Sequence, residues 1–377
     1  MFTFKQKLAK NYINALGWKT KQKYLVIESD DWGAVRMPSK KVYNKLVKSN
    51  IPVNKFSFDK HDSLESEEDL KALFGVLQKF NDRKGNPAVL TAYHVVANPN
   101  FEKIYSSNKK EYHYETIIET YARHEHTKKV PELIKQGMNK GLYLPQYHGR
   151  EHIHVKRYME AINSDSDKEQ IAFENRAIIS SKSTVCNNHY KSDYFKGFDY
   201  NNSKELKDIE TIHRDGLMVF KKIFKMPSIT FIAQGSVWGD HILPMLKEEG
   251  VQLISGQQNI PIGSGKFKVV NKNWGSKNEF GQVHWRRNCM FEPSRNQDFD
   301  WVNKCLAEIE IAFRWNKPAV ISAHRENFIG SIFEENRDKS LDKLERLLQV
   351  VLKKWPDIKF ITSAQLAIIL TSNKKIK

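Results

Sequence analysis

The sequence predicts an α/β fold, a closed or nearly closed (β/α) barrel, with a doubly wound parallel sheet as the alternative. Three observations lead there. Short β-branched apolar runs alternate with helical patterns along the 377 residues, as in βα units around a parallel sheet. The units are numerous enough to close such a sheet on itself. No internal repeat or low-complexity linker interrupts them, so nothing forces a division into separate domains.

The first strand-like run, KYLVIESD, is fit for burial on both faces. A helical pattern runs from Pro38 to Ser49, with Pro38 suited to a first turn. Another runs from Ser63 to Phe80, with acids early and apolar residues at helical spacing. PAVLTAYHVV reads as a strand, GLYLPQYH as another despite its proline, and ENRAIISSKSTV as partly helical. SITFIAQG, VQLISG, PAVISAH and DIKFITS are short and apolar; helical GDHILPMLKEEG follows the first of them and SLDKLERLLQVVLKKW precedes the last. Two polar, aromatic-rich stretches, about 98–140 and 187–214, fit the alternation poorly and are expected to cap the barrel mouth. The expected organisation is a helix within 1–20 packing on the barrel, then one catalytic barrel domain over 21–377.

Forty per cent hydrophobic residues, with eight Trp and 21 Phe, supply a sizeable core and exclude a disordered chain. Cys186, Cys289 and Cys305 are odd in number and far apart, without CxxC spacing. That argues against a disulfide framework or structural zinc and for a reducing compartment. Lys5, Lys7 and Lys10 interrupt the apolar start of the chain, and nowhere do eighteen apolar residues run together. The expectation is a cytoplasmic protein with no signal peptide and no membrane span. Phe2, Leu8, Tyr12, Ala15 and Leu16 could share one face of a basic helix. Its simpler role is to close one end of the domain; weak peripheral membrane association is the alternative. The net charge of +17 comes from scattered lysines with no basic block and no nucleic-acid motif. A solvated surface accounts for it, and no nucleic-acid partner is expected.

The informative residues stand at strand ends. Asp30 and Asp31 follow YLVIES, His148 follows GLYLPQY, and His324 follows PAVISA. Those are the ends at which parallel barrels carry their active sites. One such residue is commonly a helix cap; three strands ending this way are harder to dismiss. In QYHGREHIHV, His148 and His152 are four apart. If Gly149 turns the strand into a helix, they lie one turn apart and can share a metal, whereas His154 points elsewhere. Two histidines and a carboxylate leave coordination positions open, as in catalytic rather than structural zinc sites. One aspartate would then bind the metal, whose charge relieves the repulsion, and the other would act as general base. Adjacent strand residues face opposite ways, so the pair must sit where the strand is already turning, as DDWG permits.

These residues resemble the polysaccharide deacetylases of the carbohydrate esterase type, a family with a distorted (β/α) barrel, and in HGREH and SAHREN a divergent subgroup of it. The resemblance implies Asp30 as base, Asp31, His148 and His152 as ligands of a divalent metal, zinc first, and His324 as general acid. It spans most of the chain, with departures. Glu28-Ser29 stands where the family has Thr-Phe, Gly149 where it has Ser or Thr, and Ser322-Ala323-His324 where it has Leu-x-His. The family's Arg-x-Pro-aromatic-Gly has no literal match; FIAQGSVWGD is its positional counterpart. An arginine to orient the base could come from Arg150, Arg286, Arg287 or Arg325.

VHWRRNCMFEPS groups Trp285, Arg286, Arg287 and Asn288, suited to gripping a sugar or an anionic group, or to a surface loop with a packed tryptophan. Substrate contacts are expected from Arg286, Arg287, Arg325 and Trp238, whose indole could stack on a sugar ring. Asp240 is a natural N-cap, Asp298 and Asp300 suit a helix start, and His94, His124 and His126 have no evident partner. Cys289 lacks a base and oxyanion donors for a thiol nucleophile. The expected function is a metal-dependent hydrolase removing an acyl group, N-acetyl first, from a sugar of a polysaccharide or its precursor. The alternatives are a barrel without catalysis that binds an anionic glycan, and a glycoside hydrolase, which needs two opposed carboxylates.

Overall fold

The computed structural model describes residues 3–180, 194–263 and 265–372. Phe2, Cys186 and residues 187–193 of the second expected insertion lie outside them. Nine strands form one all-parallel sheet: β1 (Tyr24–Trp32), β2 (Leu90–Val95), β3 (Tyr143–Gly149), β4 (Thr230–Phe231), β5 (Leu253–Ser255), β6 (Val283–Trp285), β7 (Cys289–Met290), β8 (Ala319–His324) and β9 (Lys359–Phe360). Their order is β6-β5-β4-β3-β2-β1-β8-β7, with β9 beside the start of β1.

That order makes the sheet curl. Eight strands laid flat at the usual spacing would span about 34 Å. Yet β6 and β7, its opposite edges, are joined by Arg286, Arg287 and Asn288 alone, a connection that reaches about 14 Å at most. The edges therefore approach each other without pairing. The result is a distorted (β/α) barrel with an open seam, as the sequence predicts. The seam strands β6 and β7 themselves, two or three residues long, were not predicted as strands.

Alternation along the strands separates two apolar layers. Leu25, Ile27, Leu90 and Ala92 face outward into the large cluster shared with the helices Glu67–Leu77, Trp301–Arg314 and Glu334–Lys354. Val26, Tyr93, Leu253, Val283, Trp285 and Val320 belong to a second cluster. The helix Ser363–Thr371 joins it through Leu366, Ala367 and Leu370. Ser363 Oγ donates to the buried Glu28 Oε1 at 2.5 Å, so this helix closes the barrel at the end away from the strand termini.

The helix Phe4–Ala15 lies against Trp301–Arg314. Lys10 Nζ is 2.9 Å from Glu308 Oε1, and Trp315 Nε1 donates to Asn11 Oδ1 at 2.7 Å. Leu8, Tyr12 and Leu16 stay exposed. Two small antiparallel pairs, Ala97–Pro99 with Tyr114–Thr116 and Gln257–Pro261 with Phe267–Asn271, stand outside the main sheet. Asp300 caps Trp301–Arg314, donated to by Asn303 N. Asp240, expected as a cap, instead accepts from Gln258 Nε2 at 2.8 Å. Cys289 and Cys305 are buried free thiols, pushed up by burial. Among the described residues, no helix is long and apolar enough to cross a membrane.

Candidate active site

Why do two adjacent aspartates end β1? The strand carries a bulge there. Ser29 pairs with Ala92 and Trp32 with His94, so Asp30 and Asp31 together oppose Tyr93 alone. Asp31 takes φ +75°, the left-handed conformation that a short polar side chain tolerates. A bulge re-aims side chains; here both carboxylates line one pocket instead of facing opposite ways. A second irregularity lies across β2: His94 and Val95 are adjacent, but their partners Tyr147 and Gly149 leave His148 as the extra residue.

His152 reaches the site by a different route from the expected helical turn. The chain bends through residues 150–153, and the helix Val155–Ile162 begins only afterwards. Gln234, from the stretch after β4, straps this loop: its Nε2 donates to His148 O at 3.1 Å and Glu151 O at 2.7 Å. Gly149 has φ +146°, and a Cβ there would run into the Gln234 amide. That is the physical reason for glycine at this position. His154 is the N-cap of the following helix and stays out of the site.

Asp31 Oδ1 lies 3.3 Å from His148 Nε2 and 2.8 Å from His152 Nε2. Donor atoms of all three residues fall within 4.8 Å of one another. His148 Nδ1 is 2.9 Å from Ile232 O; donating there aims Nε2 at Asp31, and an ion taking the place of the Nε2 proton would find the ring set as metal-binding histidines are. Two imidazoles and a carboxylate on a common point form a donor set suited to a divalent ion of the zinc type. Burial opposes charge on Asp31, but the neighbouring His152 and His148 hold its carboxyl well below the ordinary range.

Asp30 is engaged separately. Arg287 spans the barrel seam and grips both its oxygens, Nη1 to Oδ2 and Nη2 to Oδ1, each at 2.6 Å, while Nε donates to Glu28 Oε2 at 2.6 Å. Glu28 and Asp30 are two apart on β1 and share a face, so one guanidinium fork reaches both. Glu28 also accepts from Trp285 Nε1 at 3.1 Å. Burial pushes the Glu28 carboxyl up; at Asp30 the same penalty is outweighed by Arg287, and its carboxyl lies below the usual value.

His324 pairs in register with Asp30 across β1 and β8. Its Nε2 is 3.9 Å from Asp30 Oδ2, and Nδ1 is 2.6 Å from Glu292 Oε1. Asn327 Nδ2 donates to Glu292 Oε2 at 2.8 Å and steadies it. Burial disfavours the imidazolium, yet Glu292, with Asp31 and Asp30 beyond it, raises His324 to about 10. Phe58 stands edge-on to the ring at 5.1 Å.

The pocket around these groups, about 330 Å³, is also lined by Arg36, Phe56, Phe58, Ser180, Phe195, Lys196, Gly235 and Arg295. Asp30, Asp31, His148, His152 and His324 thus meet in one place. The expected substrate contacts do not. Trp238 is 1% exposed and packs edge-on against Phe231 in the core. Arg325 is fully buried, its Nε 2.9 Å from Asp62 Oδ1 and Nη1 2.8 Å from Glu65 Oε2. Glu65 in turn accepts from Gly33 N at 3.0 Å, so Arg325 is a strut beneath the end of β1. Arg286 turns away from the pocket, toward Lys272 O. Arg287 holds the candidate base rather than presenting its fork to a ligand. Residues 98–140, expected at the mouth, supply none of the lining; Phe195 and Lys196, from the other expected stretch, form a wall together with the segment around Phe56–Phe58. His94 is a core residue, 2.7 Å from Tyr143 Oη.

Sequence reasoning missed Glu292, Gln234, Lys196 and Arg295. Each but Arg295 left a signal: Glu292 closes the short run CMF, Gln234 stands in FIAQGSVWGD, and Lys196 falls in the stretch 187–214 expected at the barrel mouth.

No family model matches the chain, and no curated protein does. Among solved structures, the "putative polysaccharide deacetylase" of Mycobacterium smegmatis is similar over 96% of this chain and 94% of that one, at 12% identity and TM-score 0.46. PuuE allantoinase is similar over 97% and 95%, at 10% identity and TM-score 0.48. The peptidoglycan deacetylase PdaC of Bacillus subtilis is similar over 94% of each chain, at 10% identity and TM-score 0.31. At such scores the likeness assigns neither chemistry nor substrate to this chain.

Proposed function

We propose that this chain is a metal-dependent hydrolase that removes an acyl group, N-acetyl first, from a sugar of a polysaccharide or its precursor. One observation carries the reading: an Asp31–His148–His152 donor set shares a pocket with a carboxylate held by arginine and an imidazole held by a second carboxylate. Asp31, His148 and His152 would hold the ion, zinc first. When bound, it supplies Lewis acidity toward the acyl carbonyl and toward water.

The chain's own residues do the rest. Asp30, kept ionised by Arg287, takes a proton from the attacking water. The water oxygen bonds to the carbonyl carbon, and the carbon–nitrogen bond then breaks. His324, kept as an imidazolium by Glu292, donates its Nδ1 proton to that carboxylate and delivers the second proton, on Nε2, to the departing amine nitrogen. Arg287 and Glu292 are positioning residues: one fixes the base and its charge, the other fixes the acid and its proton. A glycosidase needs two opposed carboxylates, whereas the only carboxylates among the lining residues are the adjacent Asp30 and Asp31.

The test is acetate release from N-acetylglucosamine oligomers by the zinc-loaded full chain. Wild type should turn over and lose activity to chelator. Asp30→Asn should bind metal but release no acetate. Equal release by Asp30→Asn and wild type, or release unaffected by chelator, contradicts the reading. A barrel that only binds glycans would release none at all.

A further inference from the structure

We infer that the glycan taken by this pocket carries a negative charge, a carboxylate or a sulfate or phosphate ester, close to its acyl group. The inference rests on the proposed reading of the site and names its substrate class. It comes from the balance of charge among the lining residues.

Both lining carboxylates are committed, Asp30 to Arg287 and Asp31 to the two histidines. Three further cations line the same space. Lys196 is half-buried, its stem running beside Gly235 and its Nζ 4.9 Å from the Phe267 ring centre. Among the described residues it has no ion-pair partner. Arg295 is held only loosely, 3.5 Å from Glu292 Oε1 and 3.8 Å from Glu326 Oε1. Glu292 is already spent on His324 and Asn327. The Arg36 guanidinium carbon sits over the Phe195 ring, 3.9 Å from its centre, with Asp59 and Asp62 no nearer than 3.6 Å, and its buried Nε has no hydrogen-bond partner.

A half-buried cation loses hydration that a counter-charge offsets. Among the described residues no carboxylate pairs with the half-buried Lys196, and the exposed Arg295 at the rim is free to turn from its long contacts toward a ligand. Phe56, Phe58 and Phe195 line the same space and bring apolar surface beside these cations. A ring on the aromatic wall with its acidic group on Lys196 or Arg295 satisfies both. A neutral sugar would leave the cations as they are.

Binding, not turnover, tests this, so its failure is separate from failure of the hydrolase reading. The probes are three tetrasaccharides titrated into the zinc-loaded full chain: alternating N-acetylglucosamine and glucuronate, 6-O-sulfated N-acetylglucosamine, and plain N-acetylglucosamine. At least one acidic probe should bind about tenfold tighter than the neutral one, as one or two charge-assisted hydrogen bonds provide. Which acidic probe wins distinguishes carboxylate from sulfate. Lys196→Gln should abolish most of the preference and Lys196→Arg should keep it. Lys353→Gln, an exposed lysine outside the pocket, should leave it intact. Equal binding of acidic and neutral probes overturns the inference. So does equal erosion by Lys353→Gln and Lys196→Gln, which would make the preference a property of the +17 surface.

Discussion

Replacing Arg287 with alanine leaves two carboxylates stranded inside the barrel. Glu28 is 0% and Asp30 5% exposed, and Arg287 supplies three short hydrogen bonds to them. Removing one side of such a buried pair costs about 3–5 kcal/mol, because the charge left behind has no solvent. The pH dependence has a definite sign. Arg287 outweighs burial and depresses the Asp30 carboxyl, so its stabilisation is present above the unfolded value and lost as pH falls through the folded one. The gap between wild type and Arg287→Ala should therefore be widest near neutral pH and shrink below about pH 4. Urea unfolding followed by tryptophan fluorescence at both pH values reads the difference directly. Arg287→Lys keeps a cation but loses the fork, and should fall between the two in stability while losing most activity. A cost below about 1 kcal/mol, typical of exposed pairs, or one that does not change with pH, would refute the seam contact.

Glu292→Gln removes the main charge raising His324 to about 10. The alkaline limb of the activity profile, set by loss of the His324 proton, should move from near that value toward neutral; an unmoved limb would separate His324 from proton delivery. Gly149→Ala forces a Cβ against the Gln234 amide at a φ of +146°, and should lower both metal affinity and melting temperature, whereas full retention of both would mean the loop is not strapped as described. Arg325→Ala should cost about 3–5 kcal/mol by stranding Asp62 and Glu65; a change in sugar affinity with unchanged stability would restore it as a substrate contact.

Much of this was legible because parallel barrel strands are buried on both faces and read as short apolar runs. Asp30, Asp31, His148 and His324 could be found as polar residues closing such runs. The four-residue spacing of His148 and His152 pointed to a shared ligand site for the wrong local reason: bends strapped by Gln234 bring the rings together, not a helical turn. Arg287 could be named only as one of four candidate arginines for the base, and Glu292 not at all, because they flank β6 and β7, strands too short to show periodicity. Their partners Asp30 and His324 become neighbours only when the sheet curls. Arg325 follows a candidate acid in sequence, but its fate was set by Asp62 and Glu65, some 260 residues earlier. Trp238 was misread for a similar reason: nothing local tells an indole at a barrel mouth from one in the core.

The most direct measurement is metal content and zinc affinity of the purified full chain, for wild type beside Asp31→Asn, His148→Ala, His152→Ala and Asp30→Asn. One ion per wild-type chain is expected, lost or weakened about tenfold or more in each of the first three and kept in Asp30→Asn. No divalent ion bound by wild type, or wild-type affinity retained in His148→Ala and His152→Ala, would contradict the metal centre and the hydrolase with it.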